Sequence, residues 1–402
     1  MKLLFVTPAV PYPPLTGSAL IALNHIRQLA VRHTVDLISF EHRKNPNELG
    51  DLPRWCNDIE LIGRPPRWRV LVNMLSGIVR DPHAEISRVR SREMMRAVDR
   101  RLSNETYDVV LFQLLQMAQF RPGSYQRPTI WCLEDPPVLK SQRMLSMYPW
   151  YERPVVRSST IRLSRYESRQ ASRFDRVILV NREDSLDYAT LLKMTNLDWV
   201  PSGIDVEAFR PSYDVSRKQG RIVITGNMFH KPNVDGVEYF CREIFPLVCQ
   251  QVPSATLWLV GAGPVSRVRK WTRDSRIKIT GFVPDIRPYL SEAMVSVCPV
   301  RLRIGTQTKV LEALSCGTPV VTTPAGNHGI GAISGEHLYI ADDPVSFADK
   351  VVTLLTSRKW SIFSEKGRRF AEDNFRWEKS AEKLEQILEQ LAGVSRLDFV
   401  PR

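Results

Sequence analysis

The stretch GTQTKVLEALSCGTPVVTTPAG, Gly305 to Gly326, constrains this chain more than any other. A glycine-led loop opens a helix that either Thr306 or Thr308 could cap, and the β-branched run Val320 to Thr323 then reads as a buried strand. Val310, Leu311 and Leu314 make one apolar face for packing on a sheet. Lys309 and Glu312 are thereby turned toward the helix's open side and its N-terminus. That end offers free N–H groups and positive dipole, a setting that suits a diphosphate. A glutamate one turn further in can accept hydrogen bonds from the two hydroxyls of a ribose. The same pattern also describes an ordinary αβ unit whose glutamate is solvated.

Strands and helices alternate on both sides of this unit. In the first half, residues 2–7, 35–40, 107–113, 128–135 and 176–181 read as buried strands, with a helix over about 18–31 carrying Leu20, Leu23, Ile26 and Leu29. Strand, loop, helix, strand is a right-handed crossover, so a parallel sheet is expected with its first loop at the carboxyl edge. Gly17, at the start of that helix, is placed for close backbone approach to an anion, or is kept for loop geometry. In the second half, strands are expected at 221–225, 255–260, 276–280, 295–300, 319–323 and 337–341, and a long helix over roughly 234–250. The fold class is therefore α/β, with two doubly wound, Rossmann-like parallel sheets. At 402 residues and 43% hydrophobic content, the chain can bury two cores. The expected domains are 1–211 and 212–376, followed by a charged amphipathic helix in 377–402.

Six scattered cysteines, with no C-x-x-C pair and no histidine at metal spacing, read as reduced core thiols. Residues 1–7 lead directly into a strand, and no run approaches 18 apolar residues; a cytoplasmic protein is expected. A formal charge of +13 favours an anionic partner: nucleic acid, membrane surface or phosphorylated substrate. The arginines concentrate between Arg64 and Arg101, around Trp68, Leu71 and Met74, in what reads as two basic amphipathic helices. Such helices either pack on the sheet with a solvated face or meet an anionic membrane surface, which would make the protein peripheral on the inner face of the cell membrane. No RNP, zinc or helix-turn-helix signature supports nucleic acid. The Gly-x-Gly at Gly261 and Gly263 lacks a third glycine and a following acid, which argues against a dinucleotide cofactor. Strand 128–135 ends in Glu134 and Asp135, a carboxylate pair that either faces an α/β cleft or caps the segment that follows.

The Gly305–Gly326 stretch resembles the donor-site signature of the retaining glycosyltransferases of family 4: a small-residue loop, K-x-x-E-A, a Gly-x-Pro-Val-Val strand and a following glycine. The matching residues are Gly305, Lys309, Glu312, Ala313, Gly317, Pro319, Val320, Val321 and Gly326. Ile304 stands where most of that family has a first glutamate, and a subgroup with G-x-x-x-K-V-L-E-A is similar to this chain. Thr306, Gln307 and Thr308 are then the candidates for sugar-facing contact. Many members carry an arginine and a lysine on the donor diphosphate where this chain has Asn227 and Asn233, after Gly226; His230 and Lys231 are candidate substitutes, or Lys309 carries more of the charge. Residues 281–285 have the family's G-x-V-x-D character, with Phe282 and Val283 as a wall around the nucleobase or as core.

The resemblance implies the GT-B architecture, two Rossmann-like domains facing across a cleft, with the last helix crossing back onto the first domain. It further implies retaining transfer of a sugar from a nucleoside diphosphate sugar to an acceptor hydroxyl on a glycan or lipid-linked acceptor, in polysaccharide or glycolipid assembly. An acceptor-side polar or catalytic residue after the equivalent strand would be Asp135, and Gly17 would approach the donor phosphates. No D-x-D spacing occurs, so metal independence and no cofactor are expected, with leaving-group charge met by helix dipole, N–H groups and cations. A non-catalytic nucleotide-sugar-binding protein on the same scaffold is the alternative.

Overall fold

The computed structural model describes residues 1–14, 16–42, 48–80, 84–212, 215–263, 265–303 and 305–393. The chain divides into two compact units, Met1–Pro201 with Trp377–Arg402, and Ser202–Arg376.

Seven strands form the first sheet: β1 (Lys2–Thr7), β2 (Thr34–Phe40), β3 (Asp58–Ile62), β4 (Val109–Gln113), β5 (Thr129–Glu134), β6 (Arg176–Leu179) and β7 (Leu197–Trp199). Their order is β3-β2-β1-β4-β5-β6-β7, and every pairing is parallel. Alternation along β1 sorts the two layers. Leu4 and Val6 face the side covered by helices Arg92–Asn104 and Arg153–Ala171, with Phe112 and Trp131 beside them. Leu3 and Phe5 face the opposite side, where Ile26 and Leu29 of helix Gly17–Leu29 meet Leu384 and Leu388 of helix Trp377–Ala392. That last helix is fastened polarly as well. His25 Nε2 lies 2.9 Å from Ser380 Oγ, which donates to Pro201 O at 2.5 Å, and the Glu385 carboxylate pairs with His33 at 2.7 Å and with Arg32.

Strands β3 and β7 go beyond the strands expected from sequence. The first, DIELI, sets Asp58 and Glu60 against Arg101 of the Arg92–Asn104 helix, so its alternation is a charge pattern as much as an apolar one. The second is only three residues long.

The second sheet has six parallel strands: β8 (Lys218–Thr225), β9 (Thr256–Val260), β10 (Ile277–Gly281), β11 (Ala293–Cys298), β12 (Val320–Thr322) and β13 (Tyr339–Ile340), in the order β10-β9-β8-β11-β12-β13. In both sheets the order reverses after the first strand, between β1 and β4 and between β8 and β11. Such a reversal opens a crevice at the carboxyl ends of the two strands. The helix expected over 234–250 is instead two helices, Lys231–Tyr239 and Phe245–Gln251, joined by a π-helical turn at Phe240–Ile244. Pro246 supplies the cause: it cannot donate into the ladder, and the Phe245 N–H reaches back to Phe240 O across a wider turn. Residues 202–211, expected in the first domain, belong to the second unit. Ile204 N donates to Phe375 O at 2.6 Å, Arg287 holds Ala208 O and Arg368 holds Phe209 O.

One close approach fixes the carboxyl edge of this sheet. Gly261 follows β9 with φ +144, and a Cβ there would fall 2.0 Å from Gly226 O. At Gly263 a Cβ would strike the Phe229 ring at 2.2 Å. The Gly-x-Gly is thus explained by packing of the loop after β8. Gly261→Ala should destabilise the second unit by on the order of 2–4 kcal/mol. Gly281→Ala, also at positive φ but with nothing within 4 Å of its Cβ, should cost only about 1–2 kcal/mol. Urea denaturation of the two variants checks the difference.

Candidate functional site

The helix that the sequence singles out spans Thr308–Ser315 and packs Val310, Leu311 and Leu314 into a core shared with Val223, Val260 and Val320. Its apolar spacing fixes its rotation, and Lys309 and Glu312 consequently face away from that core. The helix closes with Gly317 N donating to Leu314 O and Thr318 N to Ala313 O, the paired bonds of a Schellman ending. Strand β12 follows at once, tied to β11 by Thr322 Oγ1 donating to Cys298 O at 2.9 Å. The helix start is thereby held at the crevice between β8 and β11.

Lys309 reaches across that crevice. Its Nζ donates to Asn233 Oδ1 at 2.5 Å, and Asn233 Nδ2 in turn donates to Asn227 O at 2.8 Å. A Cβ on Gly226 would lie 3.1 Å from Asn233 Nδ2 and 3.3 Å from Lys309 Nζ, so the ammonium sits directly over bare backbone. Asn227 folds its side chain inward, accepting from Phe229 N at 2.9 Å. Lys231 is exposed at the first position of helix Lys231–Tyr239.

Glu312, one turn after Lys309, is half-buried, and its carboxyl makes no hydrogen bond or ion pair with a described residue. Burial pushes its carboxyl up to about 7, with the Lys309 charge pulling the other way. A carboxyl taken from water without a protein donor is costly unless a ligand supplies one. Thr225 Oγ1, at the end of β8, and Thr306 Oγ1, before the helix, are buried polar atoms with no partner among the described residues.

Neither threonine caps the helix by its side chain. Gln307 occupies the N-cap with no side-chain cap bond, and Thr308 is already helical; Thr308 N donates to Thr306 O at 3.0 Å and Val310 N to Gln307 O at 2.9 Å, so the first turn is closed by backbone rather than by a side chain. Val283 packs into the core beside Tyr289 and Ile286, whereas Phe282 is exposed on the loop after β10. Ile304 lies outside the described residues. Gly226, Asn227 and Lys309 are brought together at the crevice. Asn233 is the connector that sequence reasoning passed over as a missing cation; its six-residue spacing from Asn227 was the available signal.

Gly17 and Asp135 belong to the first unit. Thr16 caps the Gly17–Leu29 helix by accepting from Ala19 N at 3.2 Å, and a Cβ on Gly17 would meet nothing within 4 Å. Asp135 has its carboxyl raised by burial, Lys140 opposing and Asp184 adding. Its neighbour Glu134 holds a left-handed backbone, φ 66, accepts from Gln113 Nε2 at 2.8 Å and is pushed up to about 8 by burial. Gln113 also donates to Ser18 O at 2.7 Å, joining β4, β5 and the first helix at the carboxyl edge of the sheet.

Residues 219–357 match the family model of glycosyl transferases group 1. The match lies within the second unit and takes in Gly226, Asn227, Lys309 and Glu312. An uncharacterized 44.6 kDa protein in the cps region of Klebsiella pneumoniae is 25% identical over 191 residues, covering 45% of this chain and 47% of that protein. The chain thus spans about half the length of the curated relative it matches. Among solved structures, sucrose-phosphate synthase from Thermosynechococcus elongatus is similar with a TM-score of 0.72 at 17% identity, over 98% of this chain and 100% of that one. TarM gives 0.70 at 10% identity, over 96% and 99%. The Anabaena protein Alr3699/HepE in complex with UDP-glucose gives 0.66 at 15% identity, over 97% and 100%. These likenesses carry the fold, GT-B, an α/β class with two parallel sheets and alternating helices.

Because Glu312 holds its proton to about pH 7 when folded and to about 4.5 when unfolded, the folded state binds more protons between those values. Its contribution should therefore disfavour folding increasingly as pH rises from about 4.5 through 7, by up to about tenfold in the unfolding constant per pH unit. Comparing Glu312→Gln with the parent chain by denaturation across pH 5–8 isolates this dependence from the raised carboxyls of Glu134 and Asp135 in the first unit.

Proposed function

We propose that the second unit binds a nucleoside diphosphate sugar at the carboxyl ends of β8 and β11, and that the chain transfers the sugar, with retention, to an acceptor hydroxyl. The observation that carries this reading is the pairing, on one helix, of a lysine held over Gly226 and a half-buried carboxyl with no hydrogen-bond donor among the described residues. The position of both residues inside the matched glycosyl transferases group 1 region supports it, as does the complex with UDP-glucose of the Anabaena protein that shares the fold.

In this reading Lys309, the positive end of its helix and the Gly226 backbone meet the diphosphate, and Glu312 accepts from the ribose hydroxyls. Thr306, Gln307 and Thr308 face the sugar, Phe282 flanks the base, and Lys231 adds charge at the neighbouring helix start. The anomeric carbon–oxygen bond breaks with its electron pair going to the phosphate oxygen. The acceptor oxygen bonds to the same face of that carbon, and its proton passes to the departing phosphate oxygen. Cations and N–H groups carry the leaving-group charge, so the reaction needs no cofactor or metal. The acceptor is a glycan or a lipid-linked glycan in polysaccharide or glycolipid assembly, and the protein works at the cytoplasmic face of a membrane.

A second reading, nucleotide-sugar binding without turnover, is favoured by one observation. Positions 227 and 233 carry amides, and Asn233 already engages Lys309. Calorimetry with uridine, guanosine and adenosine diphosphate sugars, coupled to a donor-hydrolysis assay, separates the two. Binding with slow hydrolysis that persists in EDTA supports transfer; binding with no turnover leaves the binding protein.

Glu312→Ala should weaken the donor about ten- to hundredfold, the worth of charged hydrogen bonds, with little loss of fold. Affinity in the parent chain should rise as pH passes through about 7, because the ionised carboxylate accepts from both hydroxyls. Unchanged affinity in Glu312→Ala would remove ribose recognition from this residue.

A further inference from the structure

The first unit carries an exposed apolar and basic surface that the transfer reading does not use. Trp150 is 80% exposed, Tyr151 62% and Val155 70%, and the two aromatic rings stand edge to face at 6.0 Å. Helix Arg153–Ala171 continues this surface. Its buried side is Thr160, Leu163, Glu167 and Gln170, and its outward stripe is Val155, Arg157, Ile161, Arg165 and Arg169. That stripe contains no carboxylate. None of its three arginines is ion-paired with a described residue, although the unit elsewhere pairs arginines freely, as at Arg143 with Asp184.

A second set of exposed apolar side chains lies in the same layer. Trp68, Leu71 and Val72 are 62%, 59% and 54% exposed on helix Arg67–Arg80, and the Arg69 guanidinium stacks over the Trp68 ring at 5.2 Å. Arg64, just before this helix, donates to Pro8 O and Glu41 O, which places the helix start at the carboxyl ends of β1 and β2. Helix Pro137–Met144 leaves the carboxyl end of β5, and the chain returns along Arg153–Ala171 to the amino end of β6. The Arg153 end is therefore also at the carboxyl edge. Helix Ala84–Arg88 touches helix Arg67–Arg80, and the turn Leu115–Phe120 touches both Ala84–Arg88 and helix Arg153–Ala171, with Gln119 Nε2 donating to Ile86 O at 3.1 Å and Ile86, Leu115 and Phe120 in the core on this face of the sheet.

We propose that this face, Trp150 and Tyr151 included, docks on an anionic lipid bilayer and brings the carboxyl edge of the first sheet to the membrane surface. Charge complementarity selects the occupant: arginines without carboxylate partners, interleaved with tryptophan and tyrosine, fit the headgroup boundary of an anionic bilayer. There the rings sit among headgroups and the guanidinium groups meet phosphates. Among the described residues no helix is long and apolar enough to cross a membrane, so the contact is made from one side. The inference rests on first-unit residues alone and is independent of the donor site.

Sedimentation with vesicles of phosphatidylcholine, with and without about one third phosphatidylglycerol, tests it on the full chain. Binding is expected only to the anionic vesicles, falling at least about fivefold in Trp150→Ala/Tyr151→Ala and again in Arg157→Ser/Arg165→Ser/Arg169→Ser, with nucleotide-sugar affinity unchanged in both. Brominated lipid chains should quench tryptophan emission, and part of that quenching should vanish in Trp150→Phe. Absence of anionic-vesicle binding by the parent chain, equal binding by the variants, or tight salt-sensitive binding to single-stranded RNA with no bromolipid quenching would each overturn the proposal. Intact circular dichroism in the exposed-residue variants separates loss of docking from loss of fold.

Discussion

Parallel strands cannot be joined by tight turns, and that restriction organises both units of this protein. Every strand hands the chain to a crossover that must return to the opposite edge, so all loops leaving strand carboxyl ends gather on one side of each sheet. The strand orders then divide those loops at β1/β4 and at β8/β11. Residues with no business in a core accumulate there: Asn227, Lys309 and Glu312 at one reversal, Gln113, Glu134 and Asp135 at the edge of the other sheet. Chemistry is placed by topology before any side chain is chosen.

Within the second unit, the approach of Gly226 to Gly261 lowers the floor of the crevice to bare backbone, and Lys309 lies across it. Asn233 holds the ammonium without neutralising it. Glu312 is held in tension with the same helix. Its burial favours the neutral acid and the lysine favours the carboxylate, and the balance falls close to neutral pH. In the proposed reading, a ligand that brings two hydroxyl donors and a diphosphate would relieve both groups at once.

Much of this was legible in the sequence. Buried strands with β-branched runs, such as 35–40 and 319–323, announced themselves because both faces of a parallel sheet are covered. The rotation of the Thr308–Ser315 helix followed from three apolar residues. What escaped detection depended on partners distant in sequence. DIELI joins the sheet by pairing with β2 while its acids meet Arg100 and Arg101, partners that no local pattern displays. Asn233 matters through Lys309, 76 residues away. Glu134 is set apart from Asp135 by a left-handed backbone and a bond from Gln113, neither of which a one-dimensional pattern displays. The π-helical turn at 240–244 shows the reverse case, where Pro246 was visible and its effect on a long helix was not drawn.

The claim at the centre of this account is that Glu312 and Lys309 together grip a sugar nucleotide at the β8/β11 reversal. A crystal structure of the protein soaked with a nucleoside diphosphate addresses it most directly. The expected result is a ribose whose two hydroxyls donate to the Glu312 carboxylate, with the diphosphate against Lys309 Nζ and the N–H groups after Gln307. A nucleotide bound elsewhere on the chain, or one bound here with the Glu312 carboxylate turned from the ribose, would contradict it.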